Sequence, residues 1–262
     1  MKSLNIIDNY IITQEKVFES TLAQNCLADF VKKPFEYKQQ YLQKNYGYGF
    51  DGYSFQGQKD STNQAYDDMV DSFVISDIFP VSKYPQELHP IRGNNWVQLM
   101  RTIKSIEHKI ITSLAPNLSD FYENNICHML SANYYPPIKE FASTADHGMR
   151  LSAHTDVSLF TVFPFGVDEG LEYYSEKESC WKSLGKTDTI FAFPGFLAQL
   201  LTGGELKALQ HRVKLPKDKR TERFSFAYFS IPLPEKTFEI IENKQSVLTS
   251  SEVYFKKYLA LF

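Results

Sequence analysis

The chain has the composition of an ordinary globular protein. It contains 262 residues, of which 43% are hydrophobic and 23% charged, and its formal net charge is −3 at pH 7. This length suffices for one large domain or two small ones with a sizeable core. Because the chain has neither a basic excess nor a polybasic tail, we expect no nucleic-acid or membrane partner.

The cysteines and the apolar segments indicate a cytoplasmic protein. Cys26, Cys127 and Cys180 are odd in number and widely spaced, which predicts neither a disulfide framework nor a cysteine zinc site. No apolar segment reaches the length of a membrane span, and the N-terminal segment lacks the apolar core of a signal peptide.

Hydrophobic spacing predicts helices in the N-terminal part. Apolar residues three or four positions apart predict a helix over 13–31, with Thr13 as its N-cap, and a second helix over 94–115. Between them, the glycine- and aromatic-rich segment 45–60 predicts a structured loop.

The pattern changes after about Met129. Short apolar or aromatic runs separated by turn-forming clusters are typical of a compact β-sandwich or barrel. Segment 195–209 interrupts them and is predicted to be a turn region, whereas 250–262 predicts an amphipathic helix packed on the core. We therefore expect one domain over 1–262, with a mostly helical layer (1–128), a β core (129–234) and a C-terminal strand and helix (235–262).

A candidate metal site lies in LSAHTDVSLF, residues 151–160. If this segment is a strand, His154 and Asp156 point to the same side, roughly 6.7 Å apart. His211, at the start of the strand-like HRVKL, is the candidate third ligand. Two histidines and one carboxylate with open positions are typical of non-haem Fe(II) oxygenases. An isolated His-x-Asp is more often incidental, and His211 taken alone is more simply explained as a structural histidine.

A candidate carboxylate anchor lies in RFSFAYF, residues 223–229. Alternation places Arg223, Ser225 and Phe229 on one face of a strand, and the bulky side chains of Phe224 and Phe226 on the other. A guanidinium fits a carboxylate through two parallel hydrogen bonds, and a serine hydroxyl adds a further donor. For the motif alone, an edge arginine paired with a surface acid is the simpler explanation.

Several motifs in the same order resemble the isopenicillin-N-synthase-like family of Fe(II)- and 2-oxoglutarate-dependent dioxygenases. In chain order, these motifs are NYYPP (133–137), HTDVSLFTVF (154–163), GLEYY (170–174), CWKSL (180–184), TGGELKALQHRV (202–213) and RFSFAYFSIPLP (223–234). The resemblance covers roughly 129–234 and is looser upstream. It implies a mainly β protein with flanking α-helices and a double-stranded β-helix (jelly-roll, cupin-like) core.

The resemblance also implies a cofactor, a cosubstrate and a reaction. It assigns Fe(II) to three ligands, His154, Asp156 and His211, which would be the catalytic centre. With O2 and 2-oxoglutarate, such enzymes oxidise an unactivated C–H of a small molecule by hydroxylation, desaturation or cyclisation, and they release succinate and CO2. The carboxylate at Asp156 disfavours halogenation.

The resemblance further assigns the distal carboxylate of 2-oxoglutarate to Arg223 and Ser225, with Asn133 and Tyr135 beside the cosubstrate. Phe229 would line the substrate side. Two alternatives remain open. One is an iron oxidase that uses no 2-oxoglutarate and binds a substrate carboxylate through its Arg-x-Ser pair. The other is an inactive jelly-roll binding module.

The sequence says less about the substrate. Arg150 shares the face of His154 on the predicted strand and is a candidate for contact with an acidic substrate group, although a surface arginine is at least as simple an explanation. Tyr48, with Tyr53 and Phe55, belongs to an aromatic loop that would either cover the site or pack against the fold. We expect a monomer or a weak dimer.

Overall fold

Two β-sheets form the centre of the protein. The computed structural model describes residues 4–47, 50–57, 68–138, 148–218 and 220–258, without the side chains of Asn94 and Asn95. In the described part, the strands are β1 (Asn5–Ile7), β2 (Tyr10–Lys16), β3 (Gly52–Ser54), β4 (Asp71–Ser76), β5 (Ile126–Tyr135), β6 (Met149–His154), β7 (Phe160–Phe163), β8 (Leu171–Ser175), β9 (Cys180–Ser183), β10 (Thr189–Pro194), β11 (His211–Lys214), β12 (Arg223–Pro232), β13 (Thr237–Glu242) and β14 (Gln245–Ser250).

The described helices lie mostly before and after the β core. The α-helices are α1 (Thr21–Val31), α2 (Phe35–Lys38), α3 (Asn94–Leu114), α4 (Ser119–Asn125), α5 (Phe196–Leu201) and α6 (Ser251–Tyr258). Short 3-10 helices cover Gln39–Tyr41, Gln43–Asn45, Val81–Lys83, Gln86–Arg92 and Pro116–Leu118. None of the helices in the described ranges is long and apolar enough to cross a membrane.

The larger sheet has eight strands in the order β1-β2-β10-β7-β12-β5-β4-β3, and the smaller one has four in the order β6-β11-β8-β9. A separate hairpin joins β13 and β14. An apolar cluster that draws on both larger sheets fills the space between them, with Tyr135, Phe163 and Phe193 from one side and Tyr173 and Val213 from the other. The mainly β, jelly-roll character predicted from the sequence is therefore confirmed.

A second apolar cluster covers the outer face of the larger sheet. Leu27 and Phe30 of α1 and Ile103 and Ile110 of α3 are buried in it, and each has an exposed fraction of 0%. Strand β12 separates the two clusters, because Phe226 belongs to the outer cluster and Ala227 to the inner one. The predicted alternation along 223–229 is thus present in the structure.

The predicted helix over 13–31 is wrong in its first half. Thr13 lies in β2 and caps no helix, and α1 begins at Thr21. The amides of Val17 and Phe18 donate to the carbonyls of Asp188 and Pro164, at 3.2 and 2.8 Å, so their hydrogen bonds go to other segments rather than to a helical turn. Pairing of β2 with β10 outweighs the local helical spacing.

Other elements match their predictions more closely. Helix α3 covers almost all of the predicted 94–115, and the described part of the C-terminal helix buries Tyr254, Phe255 and Tyr258. Segment 195–209 does contain a helix, α5, contrary to the prediction of a turn region. Among their described residues, the first 128 positions contain β1 to β4 and the start of β5 as well as helices. The division into three regions of one domain stays a prediction.

Candidate active site

The three predicted metal ligands lie together at one end of the smaller sheet. His154 ends β6, His211 begins β11, and the two residues are direct partners in the antiparallel ladder. Asp156 lies two residues beyond the end of β6, so the expectation that both residues of the His-x-Asp pair lie on one strand is wrong. The loop nevertheless returns the carboxylate to the histidines, and one ligand atom from each residue lies within 4.8 Å of the other two.

Distances and burial make this group a compact donor set. Oδ1 of Asp156 lies 3.4 Å from Nε2 of His154 and 3.8 Å from Nε2 of His211. The side chain of Asp156 is 10% exposed, that of His211 is 6% exposed, and that of His154 is 23% exposed. The two imidazole centroids are 4.3 Å apart. The side chains are therefore shielded, and His154 is the most open to solvent.

Backbone carbonyls hold both imidazoles in one orientation. Nδ1 of His154 lies 2.8 Å from the carbonyl oxygen of Ser152, and Nδ1 of His211 lies 3.1 Å from that of Leu209. A carbonyl only accepts, so each Nδ1 carries a proton and donates it. In the neutral ring, each Nε2 then presents a lone pair toward Asp156, which is the tautomer that a metal ion requires.

Thr161 and α5 hold the loop that carries Asp156. The Thr161 hydroxyl donates to Oδ2 of Asp156 at 2.6 Å, leaving Oδ1 directed toward the histidines. The amide of Phe196, the first residue of α5, donates to the Asp156 carbonyl at 2.7 Å. Gly195 permits this close approach, because a Cβ atom there would lie 2.2 Å from the carbonyl oxygen of Ser158.

Two of the three side chains, Asp156 and His211, are already in the deprotonated form that metal binding requires at neutral pH. Burial raises the pKa of Asp156, but the imidazoles of His211 and His154 outweigh it, so the net pKa is lowered and the group stays a carboxylate. Burial, with the neighbouring His154, lowers the pKa of His211 to about 4. Burial also lowers the pKa of His154, but the Asp156 carboxylate outweighs it and raises the net pKa. A metal ion therefore competes with a proton mainly at His154.

The predicted carboxylate anchor lies on the inner face of β12. Arg223 pairs in register with Tyr135 of β5, and Ser225 pairs with Asn133. The Arg223 guanidinium lies over the Tyr135 ring, 4.8 Å from its centroid. Nη1 of Arg223 is buried and has no hydrogen-bond partner among the described residues. A buried donor without a partner is costly, which favours a ligand at this point.

Asn133 is fixed by two neighbouring serines. The hydroxyls of Ser72 and Ser131 both donate to its Oδ1, at 2.6 and 3.0 Å. Asn133 and Ser225 are paired residues on the two strands that also carry Tyr135 and Arg223. The four predicted cosubstrate residues are thus brought together on adjacent strands.

Asp168 contacts the anchor and was not predicted from the sequence. Nε of Arg223 lies 2.8 Å from both carboxylate oxygens of Asp168, and the amide of Gly170 donates to Oδ1 at 3.0 Å. Thr161 was missed as well. The only feature of the sequence that points to Thr161 is its position in HTDVSLFTVF, five residues after Asp156. No sequence pattern connects Asp168 with Arg223.

The predicted substrate residues have different placements. Phe229 is half-buried and pairs in register with Thr161, so it lies on the strand beside the one that supports Asp156. Arg150 is only 2% exposed, and its guanidinium donates to the carbonyls of Pro136 and Thr221. Its contact with a substrate stays a prediction. Tyr48 lies outside the described residues.

The rest of the aromatic loop packs against the fold. Tyr53 is 1% exposed, and its ring lies 5.3 Å from that of Phe30. Its hydroxyl donates to Asp71. Phe55 packs against Phe35, with ring centroids 5.5 Å apart. Tyr53 is therefore part of the core, and Phe55 is partly buried and packs against it.

The fold agrees with comparisons to known structures. A full-length Neurospora crassa protein, in complex with alpha-KG and 5-formyluracil, superposes with a TM-score of 0.72 at 18% sequence identity, covering 97% of this chain and 86% of that one. JOX2, in complex with 2OG, Fe and JA, superposes with a TM-score of 0.73 at 18% identity, covering 96% of this chain and 78% of that one. These similarities show a shared fold.

The sequence comparisons relate part of the chain to one family. Residues 126–232 match the model of the 2OG-Fe(II) oxygenase superfamily. Validamycin A dioxygenase of Streptomyces hygroscopicus subsp. limoneus is 26% identical over 183 residues, which are 66% of this chain and 49% of that protein. The chain spans about half the length of this curated relative. These comparisons relate residues 126–232 to the 2OG-Fe(II) oxygenase superfamily, whose description names Fe(II) and 2-oxoglutarate. Assignment to the isopenicillin-N-synthase-like branch stays a prediction.

Proposed function

We propose that this protein is an Fe(II)- and 2-oxoglutarate-dependent dioxygenase that oxidises an unactivated C–H bond of a small molecule. The observation that carries the proposal is the convergence of two Nε2 atoms and one carboxylate oxygen, with both Nδ1 atoms already engaged by backbone carbonyls. Two histidines and a carboxylate with further positions open form the ligand set of non-haem Fe(II) oxygenases.

In this proposal, His154, Asp156 and His211 hold the iron. Their donors suit the ion, because neutral imidazole and carboxylate both bind divalent iron and the histidines need no rotation to present Nε2. Thr161 keeps the second oxygen of Asp156 occupied, so that Oδ1 is the oxygen available to the metal.

The cosubstrate would extend from the metal toward Arg223. Arg223 Nη1 and the half-buried Ser225 hydroxyl supply donors for its distal carboxylate. Tyr135 and Asn133 would lie beside it, and Phe229 would line the substrate side. A bound iron ion supplies the oxidising chemistry together with 2-oxoglutarate and O2, and succinate and CO2 are released. The protein side chains orient the reactants and limit the access of water.

Turnover with a panel of small molecules tests the proposal. Purified protein is incubated with Fe(II), ascorbate, 2-oxoglutarate and amino acids, peptides or aromatic metabolites, and succinate and oxidised product are measured. We expect succinate release that is stimulated by at least one compound and is lost in Asp156→Ala. Lys177→Ala, on the described surface turn between β8 and β9, serves as the matched control.

The two alternatives give different outcomes in the same experiment. Substrate oxidation that requires iron but releases no succinate would identify an oxidase whose Arg-x-Ser pair binds the substrate. Failure of the wild-type protein to retain Fe(II) under anaerobic conditions would identify a binding module, and it would overturn the proposal.

A further inference from the structure

Two buried guanidinium groups lie beside the same tyrosine. Arg150 is 2% exposed and Arg223 is 8% exposed. Their Cζ atoms lie 6.0 and 4.8 Å from the centroid of the Tyr135 ring. Each group also has a buried nitrogen, Nε of Arg150 and Nη1 of Arg223, without a hydrogen-bond partner among the described residues. The hydrogen-bond donors at this point are therefore incompletely satisfied.

Among the described residues, only one of these two cations is paired with a carboxylate. Asp168 contacts Nε of Arg223 with both oxygens. Arg150 instead donates to the carbonyls of Pro136 and Thr221, and within the described ranges it forms no ion pair with a carboxylate. Since arginine stays protonated in proteins, Arg150 is a buried cation that contacts no counter-ion among the described residues.

Charges farther from Arg150 also leave it unbalanced. The charge of Asp68 raises the pKa of Tyr135, but the Oδ1 atom of Asp68 accepts hydrogen bonds from the amide and the hydroxyl of Ser152, both at 3.0 Å. Burial, and then the charge of Arg223, lower the pKa of Arg150, which is the direction expected for a cation without a contacting counter-ion. An anion placed beside Arg150 and Arg223 would offset both the burial of the Arg150 charge and its repulsion by Arg223.

We infer that Arg150 is a positioning residue for the cosubstrate, and that its buried charge balances the distal carboxylate of 2-oxoglutarate. Arg223 supplies the hydrogen bonds to that carboxylate, but Asp168 already neutralises the charge of Arg223. The Arg223–Asp168 pair alone offers an incoming anion no net charge, and Arg150 adds one positive charge to it. This inference rests on the proposed function, because it assumes that the ligand of Arg223 is 2-oxoglutarate.

A purely structural role is the competing explanation. The guanidinium of Arg150 contacts the residue after Tyr135 and a residue two positions before Arg223, so it also joins the end of β5 to the start of β12. A structural role depends on the hydrogen bonds of the side chain. The inferred role depends on its charge. Substitutions that separate hydrogen bonding from charge therefore distinguish the two explanations.

The test measures binding of 2-oxoglutarate to protein loaded with Mn(II), the divalent ion next to Fe(II) in the affinity order of the first-row metals. Calorimetry compares wild type, Arg150→Lys and Arg150→Gln, using 2-oxoglutarate and 2-oxopentanoate, which lacks the distal carboxylate. We expect Arg150→Gln to lower the affinity for 2-oxoglutarate about 10- to 100-fold, which is the size of effect expected for a buried charge several ångströms from an anion. Arg150→Lys should stay within about 5-fold of wild type, and binding of 2-oxopentanoate should be unchanged in all three proteins.

Asp168→Asn adds an independent measurement. This substitution keeps an oxygen for Nε of Arg223 and removes the negative charge. It should strengthen binding of 2-oxoglutarate, by less than Arg150→Gln weakens it, because Asp168 is 45% exposed and its charge is partly screened. The double variant Arg150→Gln with Asp168→Asn should regain part of the lost affinity, although it restores none of the hydrogen bonds of Arg150.

Each outcome supports or overturns the inference. Equal losses in Arg150→Lys and Arg150→Gln, or a double variant no better than Arg150→Gln, would establish the structural role and overturn it. If Arg150→Gln does not fold, the other two variants still test the inference. It requires that Arg150→Lys retain its affinity for 2-oxoglutarate and that Asp168→Asn bind 2-oxoglutarate more tightly than wild type. A wild-type protein that binds Mn(II) but not 2-oxoglutarate would instead refute the proposed function.

Discussion

The hydroxyl of Thr161 is expected to set the metal affinity of the site without contacting the metal. It donates to Oδ2 of Asp156 at 2.6 Å, and Thr161 is 0% exposed, so water does not replace the bond when it is removed. Thr161→Val keeps the shape of the side chain and removes the donor. Because the bond ends on a charged group, its loss should lower the free energy of unfolding of the metal-free protein by about 1.5–3 kcal/mol.

The same substitution should lower metal affinity about 10- to 100-fold, the range found for residues that orient metal ligands. The assay is an anaerobic Fe(II) titration, with urea unfolding measured on the same samples. Thr161→Ser keeps the hydroxyl and is the matched control, for which we expect affinity within about 5-fold of wild type. If Thr161→Val binds Fe(II) as tightly as Thr161→Ser does, the hydroxyl does not orient Asp156 and this reasoning is refuted.

Three further substitutions probe the site. Asp156→Ala should abolish measurable Fe(II) retention in anaerobic dialysis while leaving the circular dichroism spectrum native. In calorimetry, Ser225→Ala should lower the affinity for 2-oxoglutarate about 10-fold, because it removes a hydrogen bond to a charged group. The affinity for 2-oxopentanoate should not change. Gly195→Ala should lower Fe(II) affinity at least about 10-fold in the same titration, because the new Cβ would lie 2.2 Å from the Ser158 carbonyl oxygen and displace the Asp156 loop.

These three predictions have distinct contrary outcomes. Retained iron in Asp156→Ala would remove the carboxylate from the ligand set. An equal effect of Ser225→Ala on both 2-oxo acids would place the hydroxyl away from the distal carboxylate. For Gly195→Ala, Lys177→Ala on the surface turn between β8 and β9 is the control. Equal iron affinities in these two variants would show that the loop tolerates the added atom.

The sequence predicted the site better than it predicted the N-terminal elements. The alternation in 223–229 fixes which side chains share a face, because the side-chain period of a strand is two whatever its partners are. The pairing of His154 with His211 depends on the register of β6 and β11, which the order of the motifs indicated but did not specify. Asp156 converges with them through a loop rather than through strand geometry.

The missed features all depend on contacts between distant segments. Strand β2 forms because β10 pairs with it, and no local pattern in 13–20 distinguishes this strand from the start of a helix. Asp168 meets Arg223 across the fold, and the burial of Arg150 follows from carbonyls on two other segments. Such contacts decide which charges remain unbalanced, so the electrostatics of the anchor became visible only in the folded chain.

The most direct test of the proposed site is a crystal structure of the protein grown anaerobically with Fe(II) and 2-oxoglutarate. We predict one iron ion, identified by anomalous scattering, within about 2.2 Å of Nε2 of His154, Oδ1 of Asp156 and Nε2 of His211. The distal carboxylate should accept hydrogen bonds from Arg223 and Ser225. Iron bound at other side chains, or 2-oxoglutarate bound with its distal carboxylate away from Arg223, would contradict the assignment.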